Sequence, residues 1–137
     1  SYRANPDHAH DSRWLHRPMM DWARADHAAR DPGSLPGRLL AGLRHIMGRR
    51  AASREIHGRN PTEILDTGNR ALFAFARRAP TGALICVFNF SEDWHHLPRD
   101  WAQTAGATAL HDVLTDAPVG DVGGMIALPP YARVWLR

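Results

Sequence analysis

Lysine is absent from this sequence: all 17 basic residues are arginine, set against 14 acidic ones, for a formal net charge of +3 over 137 residues. A nucleic-acid surface would gather these charges on one face and interleave them with stacking aromatics. Here they are scattered, adjacent only at Arg49-Arg50 and Arg77-Arg78. The arginine bias is read as the coding habit of a GC-rich genome, and no nucleic-acid partner is expected. Cysteine is nearly absent too. Cys86 stands alone, which excludes an internal disulfide and a thiolate metal cluster and suits a reducing, cytoplasmic setting. No apolar run approaches the ~20 residues that span a bilayer, and Ser1 to His10 lack the apolar stretch of a signal peptide, so no membrane partner is expected.

Catalytic groups are sparse as well. His8, His10, His95 and His96 offer imidazoles, but no carboxylate or cysteine is spaced to converge with them, so neither a metal nor any other cofactor is expected. Ser91, His111 and Asp112 supply the residue types of a nucleophilic triad without the Gly-x-Ser-x-Gly turn that would expose the serine. Cys86 falls in an apolar run without a basic neighbour and reads as core. No pair of acidic residues sits in a recognisable catalytic motif. A chain so poor in catalytic groups is not expected to turn over a substrate by itself.

The chain does carry two regions of different period. Pro18 can open a helix because its missing N–H costs nothing in the first turn, and Met19, Trp22 and Ala23 follow at helical spacing. Asp31-Pro32-Gly33 ends it. Ser34 is then an N-cap for a second helix over 35–52, in which Leu35, Leu39, Leu40, Leu43, Ile46 and Met47 form one apolar face. Beyond Glu63 the pattern turns to strand. Residues 70–77 and 83–90 are short runs rich in β-formers, joined by turn chemistry at 78–82. Leu84, Cys86, Phe88 and Phe90 alternate with Ile85 and Val87, so both faces of the second run are apolar and it is expected to be central. Further strands are expected at 64–67, 108–114, 125–128 and 132–137, with Pro129-Pro130 kinking the last pair.

The fold class expected is therefore α+β: two helices followed by an antiparallel β-sandwich of about five to seven strands without intervening helices. The helices have no strands of their own with which to build a β/α unit. The simplest account is a chain that begins partway through a larger α/β domain. Trp94, Trp101 and Tyr131 keep a sugar-stacking module open as the rival reading, although packing is the commoner use of such rings.

The segment Asp11-Ser-Arg-Trp-Leu-His-Arg-Pro18 resembles the Asp-x-Arg-Trp-(Val/Leu)-His-Arg-Pro stretch of amylosucrases and related sucrose hydrolases, in the α-amylase superfamily. The likeness continues through Asp31-Pro32 and Leu43-Arg-His45, returns at Asn89-Phe-Ser91 and His111-Asp112, and ends in the Pro-Tyr and Trp-Leu of residues 128–136; residues 92–124 match loosely. The resemblance implies a (β/α)8 barrel followed by an antiparallel β domain. Residues 1–57 are then the last loop and helices of a truncated barrel, and residues 58–137 the C-terminal β domain. The carboxylates of retaining glycoside chemistry lie on earlier barrel strands in such enzymes. It further implies that Arg13 binds substrate, closing the sugar pocket while paired with an aspartate from an earlier loop, and that Trp14, His16 and Arg17 hold that loop. The partners implied are sucrose and α-glucan through the intact enzyme, and the remainder of the barrel. An uncovered helix face would favour self-association of the chain alone.

Overall fold

A computed structural model describes residues 19–137. Arg13, Trp14, His16, Arg17 and the helix opening at Pro18 lie outside the described residues. The chain divides into two compact units, one running up to Arg44 and the other His45–Arg137.

In the first unit, helix α1 (Trp22–Arg30) opens on Asp21, whose Oδ1 accepts the Arg24 N–H at 3.0 Å. Helix α2 (Leu35–Ala52) begins there and runs on into the second unit. Ser34 caps it as the sequence predicts, its Oγ accepting the Gly37 N–H at 3.1 Å and donating to the Asp31 carbonyl at 2.9 Å. Gly37 is buried because the turn at Asp31 crosses so close that a Cβ would run into the Asp31 carbonyl. On the apolar face of α2, Leu39, Leu43 and Met47 are 61%, 60% and 68% exposed.

The second unit holds two antiparallel sheets. β1 (Thr62–Leu65), β2 (Leu72–Ala79), β3 (Gly82–Asn89), β9 (Arg133–Leu136), β5 (His111–Asp112) and β6 (Ala117–Pro118) form a six-stranded sheet in that order. β4 (His95–Pro98), β8 (Met125–Leu128) and β7 (Asp121–Val122) form a three-stranded one. β3 is central, as its two apolar faces require, and Leu84, Ile85, Cys86 and Val87 are fully buried. β2 and β3 are joined through Pro80 and Thr81, and Gly82 takes φ +141°, which a side chain would resist.

Alternation along β2 and β3 builds two cores. Leu72, Ala74, Ala76, Ile85 and Val87 face the small sheet, where Leu97, Ile126 and Leu128 close a sandwich-like layer. Each of the larger fully buried residues contributes about 1.5–3 kcal/mol. On the opposite face Leu84 and Cys86 meet Val113, Ile56, Phe75, Phe88 and Trp135.

Three expectations need correction. Among the described residues the β domain has nine strands where about five to seven were expected, because short pairs such as β6 and β7 carry too few residues to show alternation. A helix α3 (Arg99–Ala105) intervenes between strands, capped by Gly106 at φ 114° and burying Ala102 and Ala105. The strand expected over 108–114 shrinks to His111–Asp112, because Asp112 turns the chain through its own side chain. The strands at 62–65, 72–79, 82–89, 125–128 and 133–136 fall where the alternation placed them, within a few residues.

Candidate functional site

Two buried carboxylates are the first candidates for chemistry, and both have partners within the fold. Asp112 Oδ1 accepts the N–H of Trp135 at 2.9 Å and of Leu114 at 3.1 Å, while Oδ2 accepts the Thr115 hydroxyl at 2.7 Å and its N–H at 3.2 Å. Such a carboxylate is a structural clamp between the 112–115 turn and β9. Glu55, in the 3-10 turn Arg54–Ile56, is buried and pairs with Arg137 at 2.9 Å. With four donors on its two oxygens, Asp112 serves the fold, and Glu55 is tied to Arg137 through Oε2.

The triad imagined from Ser91, His111 and Asp112 does not assemble. Ser91 instead meets His95, which meets Asn69. Asn69 Oδ1 accepts the Ala71 N–H at 2.9 Å, so its amide nitrogen is the atom 3.0 Å from His95 Nδ1 and donates to it. His95 then carries its proton on Nε2 and donates to Ser91 Oγ at 2.9 Å, and that hydroxyl donates onward to Asn89 Oδ1 at 2.8 Å. The imidazole offers Ser91 a proton where a general base would offer a lone pair, so the serine is not activated. Sequence reasoning missed Asn69 because only spatial proximity across 26 positions brings it to His95.

Asn89 explains why an Asn-Phe-Ser corner is useful. Its buried amide donates to the carbonyls of Asp93 at 2.8 Å and Pro129 at 2.9 Å, tying the ends of β3 and β8 together. The kink expected at Pro129-Pro130 is there, with Tyr131 held at φ 56°. Its hydroxyl donates to Glu92 at 3.2 Å, and Tyr131 and Trp94 are exposed. Trp101 packs on the core and donates Nε1–H to the Asp66 carbonyl at 2.8 Å. Cys86 is held as an inert thiol, its pKa pushed up to about 12 chiefly by burial, with Arg77 opposing. Among the described residues no cluster of His, Cys, Asp or Glu could hold a metal ion, and no helix is long and apolar enough to cross a membrane.

The C-terminal half of α2 is fastened to the β domain by polar contacts. His45 Nε2 lies 2.6 Å from the Leu114 carbonyl, which can only accept, so that nitrogen carries the proton. Arg49 and His111 both pair with Asp116, at 3.2 and 3.0 Å. The hydrogen bond from His111, then Arg49, holds the Asp116 carboxyl below its ordinary value of 3.8. A folded-state pKa that is depressed adds stability above the unfolded value and loses it as pH falls through the folded one. Asp116→Asn is therefore expected to lower stability at neutral pH, with the difference from wild type shrinking below pH 3.8; urea midpoints measured across the acid range check this.

What remains open is apolar surface. Phe73, Phe75, Phe88 and Phe90 form a ladder across β2, β3 and the residue beyond it, with ring centroids 5.9–6.3 Å apart. Phe90 is 71% exposed and Ile64, opposite Phe75, 66%. Single exposed apolar residues need no explanation, but a contiguous stripe marks a contact surface.

Comparison with known proteins gives this surface a context. The family model described as the C-terminal domain of amylosucrase matches residues 63–137. A crystal structure of AmyP in complex with maltotriose superposes with a TM-score of 0.53 at 22% identity, over 66% of this chain and 18% of that one. A MutB mutant in complex with its substrate sucrose superposes with a TM-score of 0.55 at 17% identity, over 82% of this chain and 19% of that one. At such identities the likeness establishes the fold alone. The chain spans less than a fifth of the length of either protein.

Proposed function

Because the chain belongs to the family of amylosucrase C-terminal domains, we propose that it is the C-terminal region of an enzyme that cleaves sucrose and transfers the glucosyl unit, with retention, to an α-glucan. The family match is the observation that carries this reading. Residues 1–57 are then the last loop and helices of a (β/α)8 barrel, and residues 58–137 the β domain beside it. The bare face of α2 supports this arrangement. In a barrel, helices lay an apolar face on the parallel strands, and Leu39, Leu43 and Met47 are largely exposed among the described residues.

Arg13 contributes the one substrate contact in this reading. A guanidinium held by a carboxylate presents fixed donors to sugar hydroxyls and closes the pocket around a single ring. The carboxylates that break the glycosidic bond come from the barrel. The free, buried Cys86 suits an enzyme working in the cytoplasm. Transfer to water in place of glucan is the neighbouring activity, and its balance is set by acceptor loops outside this chain. Assaying fructose, glucose and glucan formed from sucrose tests the proposal: the whole gene product is expected to release fructose and build glucan, and this chain alone to do neither. Fructose release by the chain alone would overturn it.

Removed from its barrel, the chain is expected to hide the α2 face by self-association. Leu39→Asp with Leu43→Asp should return it to monomer, as read by sedimentation velocity. A wild-type monomer at high concentration would contradict the inference that this face seeks a partner. Exposed Trp94 and Tyr131 favour a second reading, a sugar-binding module, which predicts a tryptophan-fluorescence change on titration with maltooligosaccharides.

A further inference from the structure

A cleft of about 580 Å³ opens between the end of α2, the Arg54–Ile56 turn and the β2–β3 hairpin. It lies wholly within the His45–Arg137 unit. Its walls are tied together by hydrogen bonds that sequence alone does not show. Arg77 donates to the carbonyls of His57 at 2.7 Å and Glu55 at 3.4 Å and to the Thr62 hydroxyl. Asn60 donates to the carbonyls of Arg54 and Glu55, each at 3.0 Å, and buried Ser53 donates to the Arg49 carbonyl at 2.9 Å. The carbonyls of Arg54, Glu55 and His57 are thereby satisfied by side chains of the same unit.

Charge is what this cleft leaves unbalanced. Arg50 and Arg54 both line it, four positions apart, and His57 joins them. Glu55, next to Arg54 in sequence, is paired with Arg137 at 2.9 Å. Among the described residues the ion pairs engage Arg30, Arg49, Arg78, Arg99 and Arg137, and none engages Arg50 or Arg54. The carbonyl end of α2 nearby offers about half a negative charge, too little to balance two guanidiniums. The lining also includes apolar Ile56 and Pro80, and Thr81.

We propose that this cleft binds a small phosphate ester, its phosphate held by Arg50 and Arg54 and its organic part resting on Ile56 and Pro80. Guanidiniums match phosphate oxygens in pairs. The volume is far larger than inorganic phosphate fills and falls in the range of small-molecule sites. The proposal stands apart from the sucrose reading, since none of these residues is assigned a role in that chemistry.

Calorimetric titration of the chain with glucose 1-phosphate, adenosine monophosphate and inorganic phosphate, at matched ionic strength, tests it. At least one ester is expected to bind about tenfold or more tightly than inorganic phosphate, and Arg50→Gln with Arg54→Gln to weaken it by about tenfold or more. Both side chains are exposed, so the double variant keeps the core intact. Amide shift mapping on the wild type gives a check that needs no variant, with changes expected at Arg50–Asn60 and Ala79–Thr81. Esters that bind no better than inorganic phosphate, unchanged affinity in the double variant, or shifts elsewhere would each overturn the proposal.

Discussion

Asp112→Ala is expected to lower the stability of the His45–Arg137 unit by about 3 kcal/mol, a drop of about 15 °C in Tm for a unit of this size. The buried carboxylate accepts four hydrogen bonds, from the N–H groups of Leu114, Thr115 and Trp135 and from the Thr115 hydroxyl. Alanine removes every acceptor at once, and each buried donor left without a partner costs about 1–3 kcal/mol before water or local rearrangement recovers part of it. Asp112→Asn should cost less, since its oxygen still serves the Leu114 and Trp135 N–H groups while its amide faces two donors at Thr115. The order Ala, Asn, wild type in urea midpoint is therefore the signature of a clamp. Equal stability of Asp112→Ala and wild type would remove that role.

In the intact enzyme, Arg13→Ala is expected to reduce kcat/KM for sucrose by about a hundredfold. Hydrogen bonds from a charged donor are worth about 1.5–3 kcal/mol each, and each 1.4 kcal/mol is a factor of ten. On the proposed reading the loss falls on KM with kcat little changed, because a guanidinium that holds the ring equally in bound substrate and in the transition state supplies uniform binding. Arg13→Lys should recover little, for an ammonium lacks the planar fork that meets two acceptors together. Parallel initial rates for wild type, Arg13→Ala and Arg13→Lys measure this. Wild-type kinetics in Arg13→Ala would return the residue to an ordinary loop charge.

How much of this was legible in the sequence follows from where apolar periodicity is strong. β3 was readable because Ile85 and Val87 alternate with Leu84 and Cys86, and a strand apolar on both faces must be central. Helix α2 was readable from its leucine spacing and the Ser34 cap. β4 was not, because His95-His96-Leu97-Pro98 holds one buried apolar residue and ends in proline. Nor was α3, a seven-residue helix that buries only two alanines in full. Site features divide in the same way. Cys86 as an inert core thiol and the inertness of the Ser91 hydroxyl followed from missing neighbours or a missing motif, both visible in one dimension. The Asn69–His95–Ser91 chain, the Glu55–Arg137 pair and the Arg50–Arg54 cleft depend on contacts 22 to 82 positions apart or on a loop folded back on itself. No local signal encodes those.

Complementation in trans probes most directly the claim that these helices and strands dock onto a catalytic barrel. The upstream part of the enzyme, expressed without this region, is mixed with increasing amounts of the chain while fructose release from sucrose is followed. Activity is expected to be near zero at first, to rise and saturate with the chain, and to stay low when Leu39→Asp and Leu43→Asp are introduced. Full activity of the upstream part alone, or rescue as good by the doubly charged variant as by wild type, would contradict the account.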